Sequence, residues 1–165
     1  MKKFFSIITV SCLLLTFSTF IAFSESKTVE PEDLYYNGFS YIYRGNDIQI
    51  MEYIGSESKV IVPSEIEGRK VVKFGYDPEK DKKYYDYKDE YDAFQKWGFR
   101  YNSRVEEVYF PDTITEIEDW SFYECKNLRK ISLGNGIKSF STNTFWQCEN
   151  LEQLILPESL VKFTG

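Results

Sequence analysis

From Phe39 onward the chain alternates apolar and polar positions, first in Phe39-Ser40-Tyr41-Ile42-Tyr43 and then in Asp47-Ile48-Gln49-Ile50-Met51-Glu52-Tyr53. Arg44-Gly45-Asn46 between them has turn chemistry, so the stretch 39–58 predicts a β-hairpin. Further along, the pattern repeats every 23 residues. Segments beginning at Val105, Leu128 and Leu151 superimpose: Val108, Ile131 and Leu154 coincide, as do Phe110, Leu133 and Leu156. So do Ile114, Ile137 and Leu160, then Ile117, Phe140 and Phe163; Phe122 recurs as Phe145, Cys125 as Cys148 and Asn127 as Asn150. A fixed period of this length predicts a solenoid, whose units bury their apolar faces only by stacking on one another. In such a stack the hairpin is expected to cover the first coil.

Each unit has a legible order. In Arg129-Lys130-Ile131-Ser132-Leu133 the period of two turns Ile131 and Leu133 inward and Lys130 and Ser132 outward, on one short parallel strand. Gly134-Asn135-Gly136 turns the chain, and the stretch ending in Phe145 and Cys148 closes the coil as a helical turn or 3₁₀ segment. The amides of Asn127 and Asn150 are expected to satisfy loop backbone groups. Val60-Ile61-Val62-Pro63 matches Val108-Tyr109-Phe110-Pro111 and Leu154-Ile155-Leu156-Pro157, so a first unit begins near residue 59. That unit is swollen twice. Glu67-Gly68-Arg69-Lys70 delays Val71 and Val72, and Phe74 takes the place of Ile117. An insertion over 75–92 then precedes Ala93-Phe94, the expected counterpart of Ser121-Phe122.

With "VEEVYFPDTITEIEDWSFYECKN" and "LRKISLGNGIKSFSTNTFWQCENLEQLILPESLVKF" the chain resembles the BspA-like leucine-rich repeat family. That family's pattern runs Leu-x-x-Ile-x-Leu-Pro, a later Ile, then Ala-Phe-x-x-Cys and Asn-Leu. The likeness covers Val60 to Gly165, and the hairpin from Phe39 resembles the family's N-terminal cap. Gly134 stands where the pattern has Pro, and Ser121 and Thr144 where it has Ala. The resemblance implies a leucine-rich-repeat solenoid with a short parallel strand per coil. It also implies an exported or surface protein of bacterial type with a role in adhesion, and it names no partner.

The N-terminus supports export. Met1-Lys2-Lys3 is basic, Phe4 to Phe23 is apolar, and Ala22-Phe23-Ser24 offers small residues, so residues 1–24 read as a signal peptide cleaved near Ser24. A polar leader over 25–38 follows, then the hairpin, then the repeats over 59–165, of which the last reads as incomplete. Cleavage would leave 18 basic against 26 acidic residues, a net charge of −8, which disfavours binding to nucleic acid or anionic lipid. No later stretch has the length and apolarity to span a membrane. Cys125 and Cys148 invite a disulfide in an oxidising compartment. Equivalent side chains on stacked coils point the same way, however, which favours a buried thiol ladder.

Catalytic chemistry is poorly supplied. The chain has no histidine, so Ser-His-Asp and Cys-His catalysis and the common zinc sites are out, and no phosphate loop is present. Glu106, Glu107, Glu116, Glu118 and Asp119 meet no acidic counterparts one unit later, so they read as surface acids rather than as a glycosidase pair. No catalytic residue, metal or cofactor is expected. Two stretches are candidates for binding a protein partner. One is the outward row of the sheet, with Ile61, Glu107, Tyr109, Lys130, Ser132, Gln153 and Ile155; the other is the insertion, with Tyr84, Tyr85, Tyr87 and Tyr91. Tyr123 and Trp146 share a repeat position and either form an aromatic row or stack within the coil. The leading expectation is a non-catalytic adhesion or protein-binding module. The alternatives are a protein that self-associates through an uncapped C-terminal coil, or a truncated repeat protein.

Overall fold

A computed structural model describes residues 34–76 and 97–164. The expected signal peptide, most of the expected leader and residues 77–96 lie outside them. Four strands, β4 (Lys59–Ile61), β7 (Glu107–Tyr109), β9 (Lys130–Ser132) and β11 (Gln153–Ile155), form one parallel sheet in the order β11-β9-β7-β4. Their register is the one the repeat dictates: Val60, Val108, Ile131 and Leu154 lie side by side. A second parallel ladder runs along the other wall of the coil. There β6 (Arg69–Phe74) pairs with β8 (Glu116–Ile117), aligning Phe74 with Ile117, and β10 (Ser139–Ser141) pairs with β12 (Lys162–Thr164). Each coil therefore contributes two short strands rather than the one expected, and the core lies between the ladders.

The N-terminal strands attach to the second ladder and not to the first. Strand β2 (Phe39–Arg44) pairs antiparallel with β3 (Asp47–Tyr53), and β3 pairs parallel with β6, Ile50 lying opposite Phe74. A further strand, β1 (Leu34–Tyr36), pairs with β2 inside the stretch expected to be leader. Its signal is the Asn37-Gly38 link, whose two residues both adopt left-handed backbone (φ +47° and +81°), the geometry of a tight hairpin turn. The same device explains the first swelling of the opening unit. Glu67 and Gly68, at φ +53° and +74°, join β5 (Glu65–Ile66) to β6 as a small hairpin.

The second swelling has a closed stem. Tyr76 and Trp97, at the two ends of the excursion, pack ring to ring at 4.4 Å, and with Ile42 and Met51 they form a small cluster separate from the main core. The chain then rejoins the stack at Gly98. Its N–H donates to the Met51 carbonyl at 2.7 Å, and its carbonyl accepts from Tyr53 N–H at 2.9 Å. Gly98 sits at φ +66°, and a side chain there would meet the Ser121 backbone, so only glycine suits this re-entry. Phe99 follows, donating its N–H to the Ser121 carbonyl at 2.7 Å, as Phe122 does to Thr144 at 3.0 Å. Phe99 thus holds the position expected of Phe94, one 23-residue step before Phe122.

With Phe99 in place, a column of aromatic rings runs along the stack. Phe39 packs on Tyr53 at 4.9 Å, Tyr53 on Phe99 at 5.2 Å, Phe99 on Phe122 at 5.0 Å and Phe122 on Phe145 at 5.3 Å. These steps follow the strand spacing of stacked coils, about 4.8 Å. Phe145 closes a single 3₁₀ turn, Thr142–Phe145, in its coil. The turns between ladders are equally tight. A Cβ on Gly134 would collide with the Pro111 carbonyl of the previous coil, and Asn135 N–H donates to the Asp112 carboxylate at 2.7 Å.

Polar repeat positions form ladders of their own. Asn127 Nδ2 donates to the Ser103 carbonyl and Asn150 Nδ2 to the Lys126 carbonyl, each at 2.6 Å. Cys125 donates its thiol to the Phe99 carbonyl at 2.8 Å and Cys148 to the Phe122 carbonyl at 3.0 Å, and both are free. Each thiol faces the coil before it, so the pair is a ladder and not a disulfide. Burial pushes the Cys148 thiol up to about 11 and raises Cys125 further, with the neighbouring Cys148 adding to the effect. A raised thiol means that the folded chain keeps protons the unfolded chain releases. This contribution is complete below the ordinary thiol value of about 8.5 and is lost as pH climbs through the raised values. Urea midpoints should therefore fall above about pH 8.5, and less so in a Cys148→Ala variant. Alkylation at neutral pH followed by mass spectrometry should leave Cys125 unmodified until the protein is unfolded. An intact mass lower by two hydrogens would contradict the ladder.

Candidate functional site

The first surface is the outward face of the four-stranded sheet. Register places Lys59, Glu107, Lys130 and Gln153 in one row and Ile61, Tyr109, Ser132 and Ile155 in the next. Tyr109 is the hub. Its hydroxyl donates to Glu107 Oε2 at 2.6 Å, and the ammonium groups of Lys59 and Lys130 lie 5.0 and 5.5 Å from its ring centroid. Lys59 also pairs with Glu107 at 3.5 Å. The Tyr109 hydrogen bond, then the lysine charges, hold the Glu107 carboxyl below its usual range. Ile61 and Ile155 stand exposed at either end of the row, at 71% and 46% of their full surface. The face thus presents two apolar ends and a charged aromatic centre on a backbone fixed by parallel pairing. Lys59 completes this cluster and was not among the residues anticipated.

Tyr84, Tyr85, Tyr87 and Tyr91 lie outside the described residues. The stem that carries their segment stands on Ile42 and Met51 of the hairpin, on the wall of the second ladder.

The second surface was only glimpsed in the sequence. Arg100, Tyr123 and Trp146 occupy one repeat position on three successive coils, and with Tyr101 and Trp120 they line a cleft of about 370 Å³. Trp120 and Trp146 rings are 6.1 Å apart and inclined at 54°, Trp120 and Tyr123 5.6 Å apart at 69°, and Tyr101 and Tyr123 5.2 Å apart at 90°. Arg100 donates from Nε to the Trp120 carbonyl at 3.2 Å and lies 5.9 Å from the Tyr123 ring centroid. Burial pulls its guanidinium below the usual value. Tyr101, Glu124 and Gln147, each directly after a member of this row, repeat a left-handed backbone conformation (φ +58°, +54° and +59°). Trp146 is 52% exposed and Tyr101 45%. The row formed by Tyr123 and Trp146 is thus open to solvent, and its third member is Arg100. The 23-residue step from 123 to 100 is the sequence signal for it, visible only once Phe99 is aligned with Phe122.

Among the described residues no cluster of three or more His, Cys, Asp and Glu side chains could hold a metal ion. No helix among them is long and apolar enough to cross a membrane.

Residues 84–165 match the family described as BspA type Leucine rich repeat region (6 copies), a shorter span than the resemblance from Val60 suggested. No curated protein matches the chain. Among solved structures it is similar to a leucine-rich repeat protein of T. pallidum, at TM-score 0.62 and 21% identity over 81% of this chain and 54% of that one. A leucine-rich repeat protein from Bacteroides ovatus ATCC 8483 gives TM-score 0.57 and 19% identity over 81% and 32%. A leucine-rich cell surface protein from Faecalibacterium prausnitzii A2-165 gives 0.52 and 21% over 75% and 30%. At these identities the likeness is one of fold, and this chain spans about half or less of each of those structures.

Proposed function

Given that residues 84–165 are a BspA type leucine-rich repeat region, we propose that this chain is an exported or surface-exposed, non-catalytic module that binds protein partners, with adhesion as its role. Its basic and apolar N-terminus supports export, and a structural relative described as a cell surface protein accords with it. The observation that carries the binding role is the Tyr109 face. An aromatic anchor held by Glu107 and two lysines, between exposed Ile61 and Ile155, has the make-up of an interface centre with a polar rim. Stacked coils fix these residues before a partner arrives, which reduces the entropy lost on binding. The hairpin acts as the cap, since β3 supplies β6 with the neighbour a preceding coil would give.

The test is surface plasmon resonance against a panel of extracellular proteins. A partner bound by the purified protein should bind at least about tenfold more weakly to a Tyr109→Ser/Ile155→Ser variant of unchanged melting temperature. Full binding by that variant would remove the sheet face from the reading, and silence across the panel would count against the binding role. A second reading, self-association along the edge of β11, follows from the exposed Gln153 and Ile155 on that strand. It requires a dimer in light scattering that the Ile155→Ser change weakens; a monomer at all concentrations rejects it.

A further inference from the structure

The sheet that carries the Tyr109 face ends at β4, and no strand of the described residues pairs with the outer edge of β4. The hairpin covers the other ladder, where β3 joins β6. We infer that this open edge is a strand-addition site for an extended segment of a partner protein, with one apolar side chain seated in the adjoining pocket. This rests on the protein-binding reading above and names how a partner's main chain would be held. The backbone bonds of β4 carry the inference. The Ser58 carbonyl accepts from Glu107 N–H at 3.0 Å, and Val62 N–H donates to the Tyr109 carbonyl at 2.9 Å, so residues 58, 60 and 62 aim their backbone groups at β7. Strand geometry then aims the N–H and C=O groups of Lys59 and Ile61 the opposite way, and among the described residues nothing bonds to them. Donors and acceptors alternating at strand spacing match the backbone of another extended chain.

Two further observations separate this edge from an ordinary one. Proteins commonly guard an exposed edge with a very short strand or with a lysine. Strand β4 is three residues long, but so are β7, β9 and β11, which pair all the same. Lys59 leans across the sheet toward β7 and off the edge, its ammonium 3.5 Å from Glu107 and 5.0 Å from the Tyr109 ring centroid. Beside the edge lies a pocket of about 160 Å³, with buried Phe39, Tyr53 and Val60 as its floor and exposed Tyr36, Glu57 and Ile61 at its rim. An apolar cavity of about 150 Å³ holds a benzene ring, so this pocket takes a single aromatic or branched side chain. Val60 is the inward residue of β4, and the residue opposite it on an added strand lies on that same face, toward the pocket.

Amide hydrogen exchange reads the edge directly. In the purified protein the Lys59 and Ile61 amides should exchange fast and those of Val60 and Val62 slowly. The probes are peptides Thr-Val-Thr-X-Thr-Val-Thr with Phe, Leu, Ala or Lys at X. Saturation with the Phe or Leu peptide should slow exchange at Lys59 and Ile61 at least about tenfold, with the Ala and Lys peptides binding more weakly. N-methylation of alternate peptide residues should abolish binding on one peptide edge and spare it on the other, since only one edge meets β4. Ile61→Pro removes an outward donor and keeps the bonds to β7, so it should abolish peptide binding at unchanged melting temperature. Tyr36→Ala should erase the preference for Phe over Ala. Slow exchange at Lys59 and Ile61 in the free protein would show an edge already covered and overturn the inference. Equal tolerance of N-methylation on both peptide edges, or silence with every peptide, would overturn it too. A dimer that Ile61→Pro disperses while all peptides stay silent would overturn it in favour of a second copy as occupant. The Tyr109→Ser/Ile155→Ser variant separates the two ideas. It should keep peptide binding, and a partner lost with that variant while all peptides stay silent would sink only the strand-addition edge.

Discussion

Replacing Phe122 by alanine should destabilise the protein by about 3–5 kcal/mol, near the upper end for a buried aromatic. Phe122 is fully buried and sits mid-column, 5.0 Å from Phe99, 5.3 Å from Phe145, and in edge contact with Phe110 at 6.0 Å. Ring stacking along this column is what joins one coil to the next. In a quasi-linear fold the interfaces between units carry much of the stability, so a hole at Phe122 weakens two interfaces at once. Urea unfolding followed by circular dichroism should show a lower midpoint and a broader transition, as the coils beyond the hole uncouple. Phe122→Leu, which refills most of the volume, should lose less than half as much. A loss below about 1 kcal/mol for the alanine variant would mean that the column does not bind the coils together.

The second large effect is expected at Lys73. Its ammonium group lies 2.6 Å from Glu118 Oε1, with both side chains more than nine-tenths buried, and 3.9 Å from the exposed Glu116. Lys73 occupies the outward register position of β6, between Gln49 of β3 and Glu116 of β8. Lys73→Met should destabilise by roughly 3 kcal/mol, because the Glu118 carboxylate stays buried without its nearest cation. Glu118→Leu should do the same from the other side. Combined, the two changes should be much less damaging than their sum, since an apolar pair of similar volume replaces a desolvated ion pair. Additive losses in that cycle would show that the pair is not energetically coupled.

Much of this was legible in the sequence, and the limits have physical causes. The ladder Val60, Val108, Ile131 and Leu154 followed from the period because each position is apolar, inward and followed by the same turn. The second ladder was not recognised as strand, because a two-residue β8 and three-residue β10 are too short to display alternation. Phe94 and Phe99 both follow a small residue, and the local Ala-Phe motif favours Phe94 while the 23-residue step favours Phe99. With Phe94 aligned to Phe122, Arg100 and Tyr101 fall out of step with their repeat partners, so the aromatic cleft is not legible in the sequence. Strand β1 was missed because Asn37-Gly38 sits at the end of a polar stretch, where a turn signal is easily taken for linker. The Tyr109 face was visible as an alternation of outward residues, but the grip of Lys59 and Glu107 on the ring exists only across paired strands.

The ring contact between Tyr76 and Trp97 has a consequence for how such a chain can change over generations. Because the excursion leaves and rejoins the coil at one clasp, its length is decoupled from the register of everything downstream. Closing a longer loop on the same clasp adds only about 0.6 kcal/mol for each doubling. Gly98 and Phe99 would still fall into step with Ser121 and Phe122. A longer or shorter segment between the clasp's two halves would therefore leave the stack beyond Gly98 in register, so that length can vary there at little cost to the fold.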